Sequence, residues 1–287
     1  NTPRPGTRTE MGNPKRDLQS LAAAADGRNP QLVNSVVRAF SILRCFETSR
    51  SNPDDRYLGN QDIARRTRLP KATVSRLSQT LAALGYLEYS PTLEKYALGP
   101  AVLGLGHAYM ASHDVIGIAQ PLMQELADYT QAAVMLAVPE GLRMLLLEVC
   151  QGDAMFNMRL EKGARVPHGT TALGRADLAA RPRELFDQYL DDLERTSNPA
   201  AWKQIRAGIE RARQDYETYG FVFSLGDWNP DVFAVGVPMV SADRTRRFAF
   251  NISGRLSVMT RDKLVQDFGP RLVALRNRVY EATEGRF

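Results

Sequence analysis

Cysteine and histidine are scarce in this chain. Two cysteines in 287 residues, Cys45 and Cys150, exclude a disulfide framework as the organising device and make a cysteine-rich zinc site improbable. Three histidines, His107, His113 and His168, leave little material for a metal centre or a catalytic triad. No window approaches the roughly 20 uninterrupted apolar residues that a membrane span needs. The first residues are polar and carry no apolar core of signal-peptide type. A soluble, cytoplasmic protein without metal or cofactor is therefore expected. What is present is ordinary globular material: 44% hydrophobic and 24% charged residues, at a length comfortable for two domains.

The net charge of +5 is unevenly placed. Residues 1–100 hold 15 Lys/Arg against 9 Asp/Glu, and residues 101–287 hold 22 against 23. A basic first third joined to a near-neutral remainder suits a polyanion-binding end and a second end with another task.

Residues 1–30 read as a flexible basic arm. Val36, Phe40, Leu43 and Phe46 predict an amphipathic helix over roughly 34–47. After a loop at 48–57, Asn60 is placed to cap a short helix in which Ile63 and Ala64 face inward. A turn at Thr67–Pro70 leads to a further helix. There Val74, Leu77, Leu81 and Leu84 form the apolar stripe, and Ala72, Ser75, Arg76, Gln79 and Ala83 the opposite face. Strands at 86–89 and 95–98 complete the module, and a linker helix is expected over 100–112.

The remainder alternates between periods. Helices are expected around Ile118–Leu126, Thr171–Ala180, Trp202–Tyr216 and after Thr260, the last bent at Gly269-Pro270. Strands are expected at 132–138, 143–150, 155–160, 221–225, 233–240 and 247–253. The fold class is thus a winged helix-turn-helix followed by an α+β domain with a six-stranded antiparallel sheet. The corresponding divisions are 1–30, 31–99, 100–113 and 114–287.

Helix, short helix, turn, helix and hairpin is the winged helix-turn-helix order. A helix entering the major groove needs small and hydrogen-bonding residues outward. Ala72, Thr73, Ser75, Arg76 and Gln79 supply them. Arg65, Arg66, Arg68 and Lys71 crowd the turn where phosphates would lie, and Lys95 stands on the hairpin. Periodicity alone leaves a protein–protein module open.

The run Leu58–Leu77 (LGNQDIARRTRLPKATVSRL) closely resembles the DNA-binding segment of the IclR family of bacterial transcriptional regulators. So do Val36–Leu43, Leu81–Leu87, Lys95–Pro100, Lys162-Gly163 and Pro167–Ala176. The resemblance spans about residues 31–287. It implies a winged helix, a helical linker and a GAF-like effector domain. It also implies a homodimer, often paired into a tetramer, that binds an operator and senses a small organic acid without catalysing a reaction.

Thr170 and Thr171 lead into a helix whose first N–H groups, with Ala172 and Leu173, suit an anion. They also suit a plain helix cap. The resemblance places Ser224, Ala234, Asn251 and Ser253 in the same pocket. This chain departs from the family at three of them: Ser224 stands for an acid, Ala234 for a frequent Cys and Asn251 for a frequent Ser. With Trp228, Phe233 and Met155, and with Phe156 and Met158 nearby, the departures point to an aromatic or longer acid. His168 is expected beside the pocket. An enzyme with Cys150 as nucleophile and His168 as base lacks any group to orient either residue. A constitutive architectural DNA binder, whose C-terminal domain only oligomerises, remains the competing reading.

Overall fold

The computed structural model describes residues 32–47, 56–152 and 160–287. The arm 1–30, most of the loop at 48–57 and the strand expected at 155–160, with Met155, Phe156 and Met158, lie outside these residues, Leu160 excepted. The described chain divides into two compact units, one running to Ala111 and the other starting at Ser112.

The first unit contains α1 (Asn34–Arg44), α2 (Asn60–Thr67), α3 (Lys71–Ala83), β1 (Leu87–Ser90), β2 (Lys95–Leu98) and α4 (Ala101–Ala111). Its core gathers Ile42, Cys45, Phe46, Leu58, Ile63, Val74, Leu81, Leu87 and Tyr96. The helical phase differs from the expected one at three positions. Val36 and Phe40 on α1 and Leu84 after α3 are more than half exposed, while Ser41, Ile42 and Ser78 face inward. An apolar stripe wider than one core face has a second side, and these residues sit on it. The cap of α2 is Gly59, not Asn60: the Asp62 carboxylate accepts the Gly59 N–H at 3.3 Å. Leu58 and Tyr96 exchange backbone hydrogen bonds of 2.9 Å, tying the segment before α2 to the hairpin. No residue of α4 is buried.

The second unit is a six-stranded antiparallel sheet with helices on both faces. Its elements are α5 (Asp114–Thr130), β3 (Ala133–Glu140), β4 (Arg143–Gln151), β5 (Arg165–Pro167), α6 (Ala172–Ala179), α7 (Arg183–Thr196), α8 (Pro199–Tyr219), β6 (Val222–Leu225), β7 (Val232–Val240), β8 (Arg247–Arg255), α9 (Arg261–Lys263) and α10 (Gly269–Ala282). The strand order is β5-β4-β3-β8-β7-β6. Among the described residues the strand after β4 is Arg165–Pro167, three residues that pair with Arg143–Leu145. Helix α7 follows Pro182 where no helix was expected, burying Phe186, Leu190 and Leu193. The bend before Pro270 is a π-helical turn at Leu264–Phe268.

Side chains alternate across the sheet, so one face carries Ala133, Met135 and Ala137 of β3 and Ala249, Asn251 and Ser253 of β8. In register beside them stand Ala234 and Gly236 of β7, then Val222 and Ser224 of β6. Helix α6 packs on this face, with α8 outside it, while α5 and α10 cover the opposite face. Gly236 fixes how closely α6 approaches. A Cβ there would lie 2.5 Å from the Ala172 carbonyl oxygen, so only glycine lets the first turn of α6 rest on the sheet.

Candidate functional sites

In the first unit, α3 presents Lys71, Ala72, Arg76 and Gln79 to solvent, with Thr73 and Ser75 half-buried beside them. Arg68 is exposed in a left-handed conformation at the end of α2, φ 59°. Arg65 is 76% exposed along its side chain and donates to Asp62 Oδ1 at 2.7 Å. Arg66 is committed in part to the fold, donating to the Cys45 carbonyl at 3.1 Å. Lys95 opens β2 and is half-buried; the turn at 91–94 forms the hairpin tip instead. Lys95 and Gln79 line one groove with Asn60, Gln61 and the hairpin tyrosines Tyr89 and Tyr96. The outward face of α3 and the flanking cations thus form one surface that offers both donors for phosphates and paired donor–acceptor groups for base edges.

In the second unit, a cavity opens where α6 begins on the sheet. Its volume is about 20 Å³, room for about one water, so a larger ligand requires its walls to part. Thr171, Ala172, Leu173, Ser224, Trp228, Ala234, Asn251 and Ser253 line it, joined by Met135, Leu160, Val166 and Val232. Register explains the convergence: Ser224, Ala234, Ser253 and Ala133 stand abreast across four strands. Thr171 caps α6, accepting the Gly174 N–H at 3.2 Å while donating to the Pro167 carbonyl at 2.6 Å. Ala172 and Leu173 are the first two residues after that cap, so their N–H groups have no partner within the helix. The positive end of the helix faces a wall that carries no charged side chain among the described residues.

Three polar atoms in this lining lack a hydrogen-bond partner: Asn251 Oδ1, Ser253 Oγ and Trp228 Nε1. Asn251 and Ser253 are themselves only 5% and 2% exposed. A buried polar group left unpaired costs about 1–3 kcal/mol, so these three atoms call for a partner, a water or a ligand. Ser224 is different. Its hydroxyl donates to the Thr170 carbonyl at 2.7 Å, so it offers the cavity only lone pairs.

Three expected lining residues, Phe233, His168 and Thr170, are absent from the lining. Phe233 points from β7 to the side opposite Ala234 and is absent from the lining, its place taken by Val232. His168 is fully buried, with Nε2 2.8 Å from Asp177 Oδ2 and Nδ1 3.3 Å from the Tyr189 hydroxyl. Thr170 contributes through its backbone carbonyl to Ser224. The sequence reading missed Met135, Leu160, Val166 and Val232. For Met135 the signal is the alternation Ala133, Met135, Ala137, which only the sheet register converts into a cavity wall.

Beneath the cavity lie two charge networks. Asp177 on α6 accepts from Arg181 Nε at 2.9 Å and Arg247 Nε at 2.7 Å, besides His168. Burial pushes its carboxyl up, but the hydrogen bond and charge of His168 and the charges of Arg247 and Arg181 outweigh that and hold it well below the usual carboxylate range. Arg175 on α6 makes the second network, to Gly169, Phe223 and Asp227. Cys150 is buried, which raises its thiol to about 11 and leaves it protonated at neutral pH. Among the described residues no group of three His, Cys, Asp or Glu is arranged for a metal ion, and no helix is long and apolar enough to cross a membrane.

Comparison with known proteins gives two domain-level matches. Residues 35–91 match the IclR helix-turn-helix domain, and residues 107–278 match the bacterial transcriptional regulator IclR C-terminal domain. The transcriptional regulator TsaQ1/TsaQ2 of Comamonas testosteroni is 34% identical over 243 residues, 84% of this chain and 85% of that one. The solved structure of an IclR family regulator from Brucella abortus superposes with a TM-score of 0.78 at 38% identity, covering 92% of this chain and 98% of that chain. An IclR homologue from Microbacterium hydrocarbonoxydans, solved with 4-hydroxybenzoate, shares the fold at 20% identity and a TM-score of 0.68, covering 86% and 99%.

Proposed function

The chain belongs to the IclR family of bacterial transcriptional regulators, DNA-binding proteins rather than enzymes, and from that premise we propose that it is a repressor released or engaged by a small organic acid. The observation that carries the sensing half is the cavity at the start of α6. The N–H groups of Ala172 and Leu173 at the start of α6 and the unpaired Ser253 hydroxyl suit a carboxylate, while Asn251 Oδ1, an unpaired acceptor, suits a hydroxyl on the same ligand. Met135, Leu160, Val166, Val232 and Trp228 suit an apolar, including aromatic, body. Among the described residues no acidic side chain stands in the lining to repel an anion.

On the DNA side, α3 enters the major groove of a pseudo-palindromic operator with Arg76 and Gln79 at base edges. Arg65, Arg68, Lys71 and the backbone around them hold phosphates, with Arg66 and Lys95 adding charge at the edges of the surface. A two-fold site needs two copies of the reader. The exposed apolar residues Val33, Val36 and Phe40 on the α1 side and Leu103 and Leu105 on α4 support self-association into a dimer, and a dimer of dimers. Residues 31–99, 100–113 and 114–287 then act as reader, linker and sensor. Ligand in the sensor shifts the population of linker arrangements and so the spacing of the two readers.

Selection of duplexes from a random pool, followed by titration with variants, tests the reader. Arg76→Ala is expected to weaken the selected duplex by tenfold or more and to relax preference at one position, since a bidentate base contact is worth about 1–3 kcal/mol. Equal loss on selected and random DNA would remove Arg76 from the base-reading set.

A further inference from the structure

Arg175 on α6 is the buried arginine among the described residues, and it does not line the cavity. Its side chain is 4% exposed. Nε donates to the Gly169 carbonyl at 3.1 Å, and Nη1 to the Phe223 carbonyl at 3.0 Å and to Asp227 Oδ2 at 2.8 Å. Each acceptor stands one or two residues before a cavity wall. Gly169 precedes Thr170 and Thr171, Phe223 precedes Ser224, and Asp227 precedes Trp228. The same Asp227 oxygen also accepts the Leu225 N–H at 3.1 Å, closing the turn that carries Trp228. On the fourth side lies α8. A Cβ on Gly208 would fall 2.0 Å from Arg175 Nη2, so the helix leaves out a side chain where the guanidinium passes.

We propose that Arg175 is the positioning residue of the cavity, and that its bond to Asp227 holds the Trp228 wall at the spacing that sets which ligand fits. A planar guanidinium can reach three acceptors on three segments at once; an ammonium cannot. Loss of the pair frees the turn at 226–231 while the sheet and α6 keep their own hydrogen bonds. The consequence for ligand choice rests on the sensing role proposed above. The consequence for Trp228 does not.

The chain contains only two tryptophans, Trp202 and Trp228. In the full-length Trp202→Phe protein, Trp228 reports alone. Asp227→Asn and Asp227→Ala are expected to red-shift its emission and to raise its acrylamide quenching at least twofold. Arg175→Lys is expected to fall between these and the parent. Cooperative melting and affinity for selected duplex DNA should stay within twofold of the parent. Folded Asp227 variants with unchanged emission and quenching would overturn the proposal, and Arg175→Lys indistinguishable from the parent would remove the need for a guanidinium. With 4-hydroxybenzoate, benzoate and acetate as probes, the Asp227 variants should change the order of preference rather than abolish all binding. If no acid binds the parent protein, the sensing role fails, and the emission arm still decides the role of Arg175.

Discussion

At Asp177 a single carboxylate is surrounded by two arginines and His168, and its side chain is 1% exposed. Removing it strands Arg247 and Arg181 against the end of α6. Asp177→Asn is expected to cost about 3–5 kcal/mol at neutral pH, measured by urea unfolding, because an uncompensated buried charge remains. The pH sense follows from the depressed carboxyl. A group held below its unfolded value stabilises fully above that value, about pH 4 for Asp, and loses this stabilisation as pH falls towards the folded one. Wild-type stability should therefore drop between about pH 4 and pH 2 more steeply than that of Asp177→Asn. Parallel slopes would contradict this account of the network. Ser253 acts differently: Ser253→Ala removes an unpaired polar atom, so it should leave the melting temperature of the free protein unchanged or slightly raised while weakening acid binding. A lowered melting temperature without change in binding would make Ser253 a structural residue.

At the scale of elements, legibility in the sequence depended on where the signal lives. Helices α3 and α8 are readable from their apolar period, with Pro70 marking the start of α3, whereas α8 begins at Pro199, ahead of the expected Trp202, where Asn198 accepts the Ala200 N–H. Helix α7 was hidden because Pro182 reads as a stop, although the same proline sits before its first turn. Strand β5 is three residues long, too short for alternation to show. The role of His168 is not legible in the sequence because its partner Asp177 lies on the next helix and Tyr189 on the one after. The candidate site was half legible. Its helix start is local, whereas the row Ser224, Ala234, Ser253 exists only through sheet register. The element-level prediction concerns the seat of α6. Gly236→Ala must push the Ala172 carbonyl away from the sheet. It should lower the melting temperature and weaken acid binding together, with DNA affinity unchanged in the folded fraction. Normal acid binding in this variant would separate the α6 N-terminus from the site.

At the scale of the whole molecule, the basic excess of residues 1–100 and the near-neutral remainder correspond to two different kinds of surface. One is an exposed helix face rich in donors; the other is a recessed cavity with unpaired polar atoms. Electrostatic attraction to phosphates makes binding by the first salt-dependent, so Lys71→Ala should reduce the slope of log affinity against log salt by about 1 on any duplex. The central claim is that the cavity at the start of α6 holds an organic acid. The most direct test is the melting temperature of the full-length protein against a panel of aliphatic and aromatic acids, run beside the Asn251→Ala/Ser253→Ala double variant. A ligand bound only by the folded state raises the melting temperature in step with its concentration. At least one acid is predicted to do so in the wild type and to lose most of that effect in the double variant. No shift with any acid, or a shift of equal size in the double variant, would contradict the claim.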